Sequence, residues 1–174
     1  GIWLHGTPSY TLNRPPRDSD GCVILSNRDL DALSPYLTGD TPVILAEGIE
    51  WIDRNEWSDR QTGYESLIEA WRRDWESRDP GAYLGHYSPD YRGLGMDYDN
   101  WVDYKTRVNP SKEYIRVGVS GKSIFHYPGE KDLIVVTFLQ KYESDNLEKS
   151  FIKRQYWRRE ADGRWKIIYE GSVS

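Results

Sequence analysis

The spacing of apolar residues changes its period along the chain. From Tyr64, apolar residues recur at helical spacing opposite a polar face, which predicts an amphipathic helix. A second helix is predicted to open at Asp79-Pro80, and a third over about 99–108. Beyond Ile115 the period is 2, which predicts a meander of strands. Helices followed by strands predict an α+β fold class, with three helices packed on a curved antiparallel sheet.

The amino-terminal residues show a different pattern, in which short apolar runs are separated by loop residues. Ile2-Trp3-Leu4 predicts a strand that ends at His5-Gly6, and a proline-containing loop follows. Leucines spaced three and four apart after Asn27 predict a short helix, and residues 41–46 predict a second strand. Because these few elements bury little apolar surface, we expect this mostly-β segment to need a partner sheet from outside the chain.

These two patterns give the predicted domain organisation. Residues 1–51 form the partial amino-terminal segment, 52–62 are interpreted as a linker or connecting helix, and 63–174 form the α+β domain. The chain opens without an initiator Met or a signal-type apolar segment. We therefore expect it to be part of a larger protein.

Composition excludes several functional classes. The chain has 174 residues, 37% hydrophobic and 29% charged, as expected for a folded globular protein. A net charge of -5 without a basic face argues against nucleic acid as a partner. No apolar run approaches the roughly 20 residues of a membrane-spanning helix. With three histidines, one cysteine and no clustered carboxylates, neither a metal site nor a cofactor is predicted.

The single cysteine, Cys22, is the main candidate for chemistry. Thiol acyl transfer needs a thiolate, a base, a group that orients the base, and donors for the oxyanion. Cys22 is the candidate nucleophile, His5 the base and the Gly6 carbonyl the orienting group, with the amides of Gly21 and Cys22 as oxyanion donors. On spacing alone, an inert thiol and an unrelated histidine stay the alternative.

The run His5-Gly6-Thr7, then Ser19-x-Gly21-Cys22-Val23-x-Leu25-Ser26-Asn27, then Thr41-Pro42-Val43-Ile44, resembles the carboxy-terminal half of an L,D-transpeptidase (YkuD-type) catalytic domain. The resemblance implies that a cysteine attacks a peptidoglycan tetrapeptide stem at the diaminopimelate carbonyl next to D-alanine. D-Alanine leaves, and an amine acceptor resolves the thioester. The matching positions imply Cys22 as nucleophile, His5 as base and Gly6 as orienting carbonyl, with Ser19, Asp20 and Gly21 at the substrate.

Two positions differ from the pattern of many members of that family. Asp20 stands where they have histidine, and Ile24 stands where they have arginine. Arg17 or Arg14 is a candidate to replace that arginine in substrate binding, and a solvated loop cation is the alternative. The same differences occur in a branch resembling cell-shape-determining L,D-carboxypeptidases, so trimming of the same bond by water stays open.

Residues 63–174 resemble the nuclear transport factor 2-like (SnoaL-like) fold, in the helical aromatic spacing from Leu67 and the closing run 163–168. This resemblance implies a cone-shaped domain whose pocket serves ligand binding, catalysis or dimerisation. The candidate lining residues are aromatic, with core packing as the alternative: Trp71, Trp75, Tyr87, Tyr91 and Trp101. His86 and His126 have no acidic partner identifiable in the sequence and are interpreted as structural.

Together the resemblances imply a peptidoglycan-modifying cysteine acyltransferase of the periplasm or cell envelope. Its partners are peptidoglycan stem peptides, and a homodimer through the carboxy-terminal domain is one further arrangement. Catalysis would belong to the parent protein, with this chain alone inactive. A non-catalytic module that binds peptidoglycan or a partner, with an inert catalytic segment, is the competing class. An enzymatic carboxy-terminal pocket is disfavoured because no paired acid and base is apparent.

Overall fold

The computed structural model describes residues 3–8, 19–38, 41 and 43–173. The chain divides into two structural units, residues 1–44 and 45–174. Each unit has its own secondary structure and is described by itself.

The first unit is built on a pair of parallel strands. Strand β1 (Leu4–His5) pairs with β2 (Val23–Ile24), with Leu4 opposite Val23 and His5 opposite Ile24. Helix α1 (Asn27–Leu33) begins directly after β2 and continues into a 3-10 turn, Ser34–Tyr36. The Ser26 hydroxyl caps α1 by accepting a hydrogen bond from the Asp29 N–H at 3.1 Å. The predicted short helix is therefore present.

The strand predicted over 41–46 was wrong for its described residues. Thr41 and residues 43–46 have no strand conformation, and Pro42 lies outside the described residues. A strand needs a neighbour for its backbone hydrogen bonds, and no described residue pairs with this segment. Its apolar side chains are exposed by 49% to 59%: Val43, Ile44 and Leu45.

The second unit contains the three predicted helices, each capped by an aspartate. They are α2 (Arg54–Glu76), α3 (Pro80–Leu84) and α4 (Tyr98–Val108). The caps are Asp53, Asp79 and Asp97, whose carboxylates accept from otherwise unpaired N–H groups of the first turn. Within residues 52–62, interpreted from the sequence as a linker or connecting helix, residues 54–62 form the first turns of α2.

The strands of this unit form an antiparallel sheet in the order β5-β6-β7-β8. They are β5 (Ile115–His126), β6 (Leu133–Ser144), β7 (Leu147–Arg159) and β8 (Trp165–Val173). A short hairpin of β3 (Arg92–Gly93) and β4 (Met96–Asp97) precedes α4. The predicted α+β fold class, helices on a curved antiparallel sheet, is confirmed.

The first strand of this sheet is longer than its sequence pattern indicates. Alternation predicts two separate segments, near 115–119 and 124–127, but both belong to β5. The register against β6 shifts between Ser120 and Ser123. Such a bulge interrupts the two-residue period while the strand continues, which explains why the pattern breaks and the strand does not.

The hydrophobic core lies between the helices and one face of the sheet. Alternate residues of β6, Ile134, Val136 and Phe138, point to this face and are buried. Trp71 of α2 meets the ring of Phe138 edge-on at 5.9 Å between centroids. Contacts of this kind explain why α2 and the sheet fold as one unit.

The same core contains a buried ion pair. Lys153 Nζ lies 3.1 Å from Glu170 Oε1, and their side chains are only 4% and 1% exposed. The other carboxylate oxygen accepts hydrogen bonds from the Tyr87 hydroxyl and the Gln155 amide, both at 3.1 Å. Burial acts to raise the pKa of Glu170, but Lys153 and Lys105 outweigh it, so the pKa lies below its usual range. Glu170 is therefore a buried anion.

A second lysine, Lys105 of α4, is buried among aromatic rings. Its Nζ lies 4.5 Å from the centroid of the Trp101 ring and 4.6 Å from that of Trp75. These cation–π contacts replace only part of the hydration that burial removes. Burial lowers the pKa of Lys105 to about 7, with Glu170 opposing the shift and Lys153 adding to it. The amine therefore changes its charge near neutral pH.

We expect Lys153→Met to destabilise the protein, because it leaves the buried Glu170 carboxylate without its cation. Removing one partner of a buried pair typically costs about 3–5 kcal/mol. The free energy of unfolding, from urea titration, is the measurement. The control Lys149→Met, at an exposed position of the same strand, is expected to change it by less than about 0.5 kcal/mol. A Lys153→Met variant as stable as the control would contradict the role of the pair.

Stability is also expected to depend on pH through Lys105. Its pKa is about 7 in the folded chain against an ordinary 10.5, so between these values the unfolded chain binds a proton that the folded chain lacks. The free energy of unfolding therefore rises as pH increases through that window. Below it, Lys105 is charged in both states, and the cost of burying the charged amine is largest.

Lys105→Met is expected to remove this increase of the free energy of unfolding with pH and to stabilise the protein at lower pH. Urea titrations of both proteins across neutral and mildly alkaline pH make the comparison. An identical pH slope in wild type and variant would show that Lys105 does not cause it.

Candidate functional site

The predicted catalytic residues lie where β1 and β2 pair. The Val23 N–H donates to Trp3 O at 2.9 Å, and the Leu25 N–H donates to His5 O at 3.0 Å. Cys22 directly precedes β2. The pairing therefore brings the residue with the thiol next to the strand that carries His5, although the two residues are 17 positions apart in the sequence.

The ring of His5 has a defined orientation. Its Nδ1 lies 2.8 Å from the carbonyl oxygen of Gly6. A carbonyl oxygen only accepts hydrogen bonds, so Nδ1 carries the hydrogen in this contact. In the neutral ring, Nε2 then has a free lone pair that can take a proton. The geometry suits a general base oriented by a backbone carbonyl.

The residues before the thiol form a tight turn. The Ser19 hydroxyl donates to the backbone carbonyl of Cys22 at 2.8 Å. Gly21 has φ = 101°, a left-handed conformation that other residues rarely adopt. Cys22 is a half-buried free thiol, whereas Ser19, Asp20 and Gly21 are exposed. The substrate-binding roles of these three residues stay predictions.

Two further parts of the prediction are the arginines that would bind substrate and a contact between His5 and the thiol. Arg17 and Arg14, the candidates for replacing the family arginine, lie outside the described residues. Within the described ranges, the His5 ring makes no hydrogen bond to the Cys22 sulfur. Catalytic contacts of this kind are often long without substrate and shorten when it binds.

One residue near this site has contacts that the sequence motif does not reveal. Asn27, the first residue of α1, accepts a hydrogen bond from the Thr7 N–H at 2.8 Å and donates one to the Thr7 carbonyl at 2.9 Å. The motif includes Asn27, but only the pairing of β1 with β2 places it opposite Thr7.

In the second unit, the candidate pocket residues are buried. Trp71, Trp75, Tyr87, Tyr91 and Trp101 are all 0% to 5% exposed. They pack against one another, with 5.3 Å between the centroids of Trp71 and Trp75 and 5.4 Å between those of Tyr91 and Trp101. These rings surround the buried charges of the core and form no open cleft.

Several buried polar atoms of this core have no hydrogen-bond partner among the described residues. They are Trp75 Nε1, Trp101 Nε1, Tyr91 Oη, Asn109 Nδ2 and Gln140 Oε1. Leaving such a group unpaired costs about 1–3 kcal/mol, so native proteins usually pair it with water or a bound group.

The two histidines of the second unit make defined contacts. His86 Nε2 lies 2.7 Å from Asp74 Oδ2, an acidic partner that the sequence does not identify. Asp74 lies 12 positions earlier, and only the packing of α2 reveals the contact. His126 Nε2 lies 2.8 Å from the Tyr64 hydroxyl, and burial together with Arg60 lowers the pKa of His126. Both contacts tie α2 to residues outside it.

Within the described ranges, no three His, Cys, Asp or Glu side chains form a group that could hold a metal ion. Nor does any helix in that part of the chain have both the length and the apolar character to cross a bilayer.

Comparison with known families identifies both parts of the chain. Residues 64–171 match the sequence model of the Cds6 C-terminal NTF2-like domain, and residues 1–45 match that of the L,D-transpeptidase catalytic domain (YkuD). Both resemblances seen in the sequence are thereby confirmed. A search of curated proteins finds no match to this chain.

Solved structures show the same architecture. The chain is similar to Bd1075 of Bdellovibrio bacteriovorus, with 30% identity and a TM-score of 0.82 over 100% of this chain and 62% of that one. It is also similar to the helical cell shape determining protein Pgp2 of Campylobacter jejuni, with 22% identity and a TM-score of 0.76 over 98% and 60% of the two chains.

An NTF2-like protein of Pseudomonas putida shares the fold of the second unit, with 17% identity and a TM-score of 0.52 over 65% of this chain and 84% of that one. The chain spans only 62% and 60% of the lengths of Bd1075 and Pgp2. Because the match over residues 64–171 covers more than half of the sequence, the chain belongs to the family of the Cds6 C-terminal NTF2-like domain, preceded by residues that match an L,D-transpeptidase catalytic domain.

Proposed function

We propose that the chain is part of a peptidoglycan-modifying enzyme of the L,D-transpeptidase type, with Cys22 as nucleophile and the NTF2-like domain as an accessory. The observation that carries the proposal is the orientation of His5. Its Nδ1 is held by the Gly6 carbonyl at 2.8 Å, which leaves Nε2 free, on the strand paired with the one that follows Cys22. The match of residues 1–45 to the L,D-transpeptidase catalytic domain supports the same chemistry.

In the proposed reaction, His5 Nε2 takes the proton from the Cys22 thiol, and the thiolate attacks the diaminopimelate carbonyl next to the terminal D-alanine of a tetrapeptide stem. The carbon–nitrogen bond breaks, and the amine of D-alanine leaves with the proton that His5 returns. The thioester is then attacked by an amine, which gives a crosslink and restores the thiol. Attack by water instead gives the trimmed tripeptide stem.

The turn before Cys22 suits the stabilisation of the oxyanion in this reaction. The Ser19 hydrogen bond to the Cys22 carbonyl and the left-handed Gly21 define the direction of the backbone here. The amides of Gly21 and Cys22 are the proposed donors to the oxyanion. Since peptidoglycan lies in the cell envelope, the proposal also places the protein in the periplasm or envelope. The homodimer stays a prediction.

In the intact protein, Cys22→Ser is expected to reduce the release of D-alanine from tetrapeptide stems by at least about 10³-fold, because serine is a much weaker nucleophile without its own activation. Asp31→Asn, exposed on α1, is the control and is expected to keep wild-type activity. Mass spectrometry is expected to detect the thioester only with Cys22 present. Adding an amine acceptor separates crosslinking from trimming. Wild-type release of D-alanine by Cys22→Ser would refute the mechanism.

The second candidate function is a peptidoglycan-binding module with an inert first unit. The observation that favours it is an open cavity of the second unit that is lined by charged side chains, among them Glu160, Arg164 and Lys166. Stem peptides carry carboxylates and amines, which are complementary to these charges. This function does not require the thiol.

Binding of a stem tetrapeptide to the whole chain tests this second candidate. Calorimetry with the Cys22→Ser chain avoids turnover. Arg164→Met and Lys166→Met are each expected to weaken binding about two- to fivefold, because each removes a partly solvated charge that the ligand would meet in the cavity. Lys149→Met is the matched control and is expected to bind like its parent. If the Cys22→Ser chain shows no binding, or all three variants bind equally, the second candidate fails while the catalytic proposal stands.

A further inference from the structure

The Asn27 carboxamide holds the backbone directly after His5. Its oxygen accepts a hydrogen bond from the Thr7 N–H at 2.8 Å, and its nitrogen donates one to the Thr7 carbonyl at 2.9 Å. The backbone N–H and the backbone carbonyl of Thr7 are therefore both bound to one rigid side-chain amide at the start of α1. Because α1 follows β2 directly, Asn27 connects the segment of the thiol with the segment of the histidine.

The contact depends on glycine at position 6. A Cβ atom built on Gly6 would lie 2.1 Å from Asn27 Oδ1, which is closer than these atoms can approach, and 3.2 Å from its Cγ, which is tighter than an ordinary contact. The carboxamide therefore occupies the space that any larger residue at position 6 would take. Its place beside Gly6 is specific to this pair of residues.

The Thr7 N–H and the Gly6 carbonyl belong to the same peptide group. This group is planar, so a hydrogen bond that fixes the direction of the N–H also fixes the direction of the C=O. The Gly6 carbonyl is the acceptor for His5 Nδ1 at 2.8 Å. Asn27 therefore controls, through one rigid plane, the atom that orients the His5 ring.

We propose that Asn27 is a positioning residue that keeps His5 in the tautomer with hydrogen on Nδ1. With the Gly6 carbonyl held toward Nδ1, Nε2 stays free to act as the base. Without Asn27 the peptide plane can rotate, Nδ1 loses its acceptor, and the hydrogen can move to Nε2, which then cannot take the thiol proton. The catalytic consequence rests on the proposed function, but the effect on the tautomer does not.

The test compares wild type, Asn27→Ala and Asn27→Asp with Asp29→Ala as control. Asp29 accepts a hydrogen bond from the Ser26 hydroxyl at 2.7 Å at the same helix start, so Asp29→Ala weakens that end of α1 without touching Thr7 or Gly6. Asn27→Asp keeps an acceptor for the Thr7 N–H and serves as the rescue. All variants are made in the intact protein.

The first measurement is the tautomer of His5, from nitrogen chemical shifts of the labelled ring at a pH at which it is neutral. Wild type, Asn27→Asp and Asp29→Ala are expected to show hydrogen on Nδ1, and Asn27→Ala is expected to show hydrogen on Nε2. An unchanged tautomer in Asn27→Ala would overturn the proposal. So would an equal change in Asp29→Ala, since it would reflect general loosening of the helix start.

The second measurement is the release of D-alanine from tetrapeptide stems. Asn27→Ala is expected to lower kcat about 10²-fold with little change in KM, since the base is misdirected while the substrate contacts stay. If wild type releases no D-alanine but Asn27→Ala still changes the tautomer, the proposed function fails and this inference stands. If Asn27→Ala loses activity with an unchanged tautomer, this inference fails and the proposed function stands.

Discussion

The Lys153–Glu170 ion pair is the contact on which the arrangement of the second unit depends. A buried carboxylate is tolerated only when cations and hydrogen-bond donors surround it. Here the donors come from different elements, Gln155 from β7 and Tyr87 from the turn after α3, while Lys105 comes from α4. Moving any of these elements would leave a charge unpaired in the core.

In the first unit, a polar group is likewise held by contacts from separate elements. A single backbone plane, between Gly6 and Thr7, is bound on one edge by Asn27 and on the other by His5. Neither contact is strong in isolation, since a typical hydrogen bond contributes about 1 kcal/mol. These hydrogen bonds act on orientation, because fixing the N–H edge of a planar peptide group also fixes the direction of its C=O edge. Orientation of the ring therefore comes from ordinary peptide geometry.

Local signals in the sequence were sufficient for most of the fold. Aromatic spacing and the Asp79-Pro80 cap predicted the three helices, and alternation predicted the strands, because both depend on neighbours within a few residues. The strand expected over 41–46 failed because a strand is defined by its partner, and no described residue pairs with it. The sequence pattern shows β5 as two segments for a similar reason. The bulge between them is a shift of register against β6, and register is defined only by a pair of strands.

The sequence by itself determined the fold class, both family resemblances, and Cys22, His5 and Gly6 as the candidate catalytic residues. Only the tertiary structure decided that Glu170 meets Lys153, that Asp74 meets His86, and that Asn27 meets Thr7. These contacts join residues 12 to 20 positions apart, and they form only when separate elements pack. No local pattern carries that information.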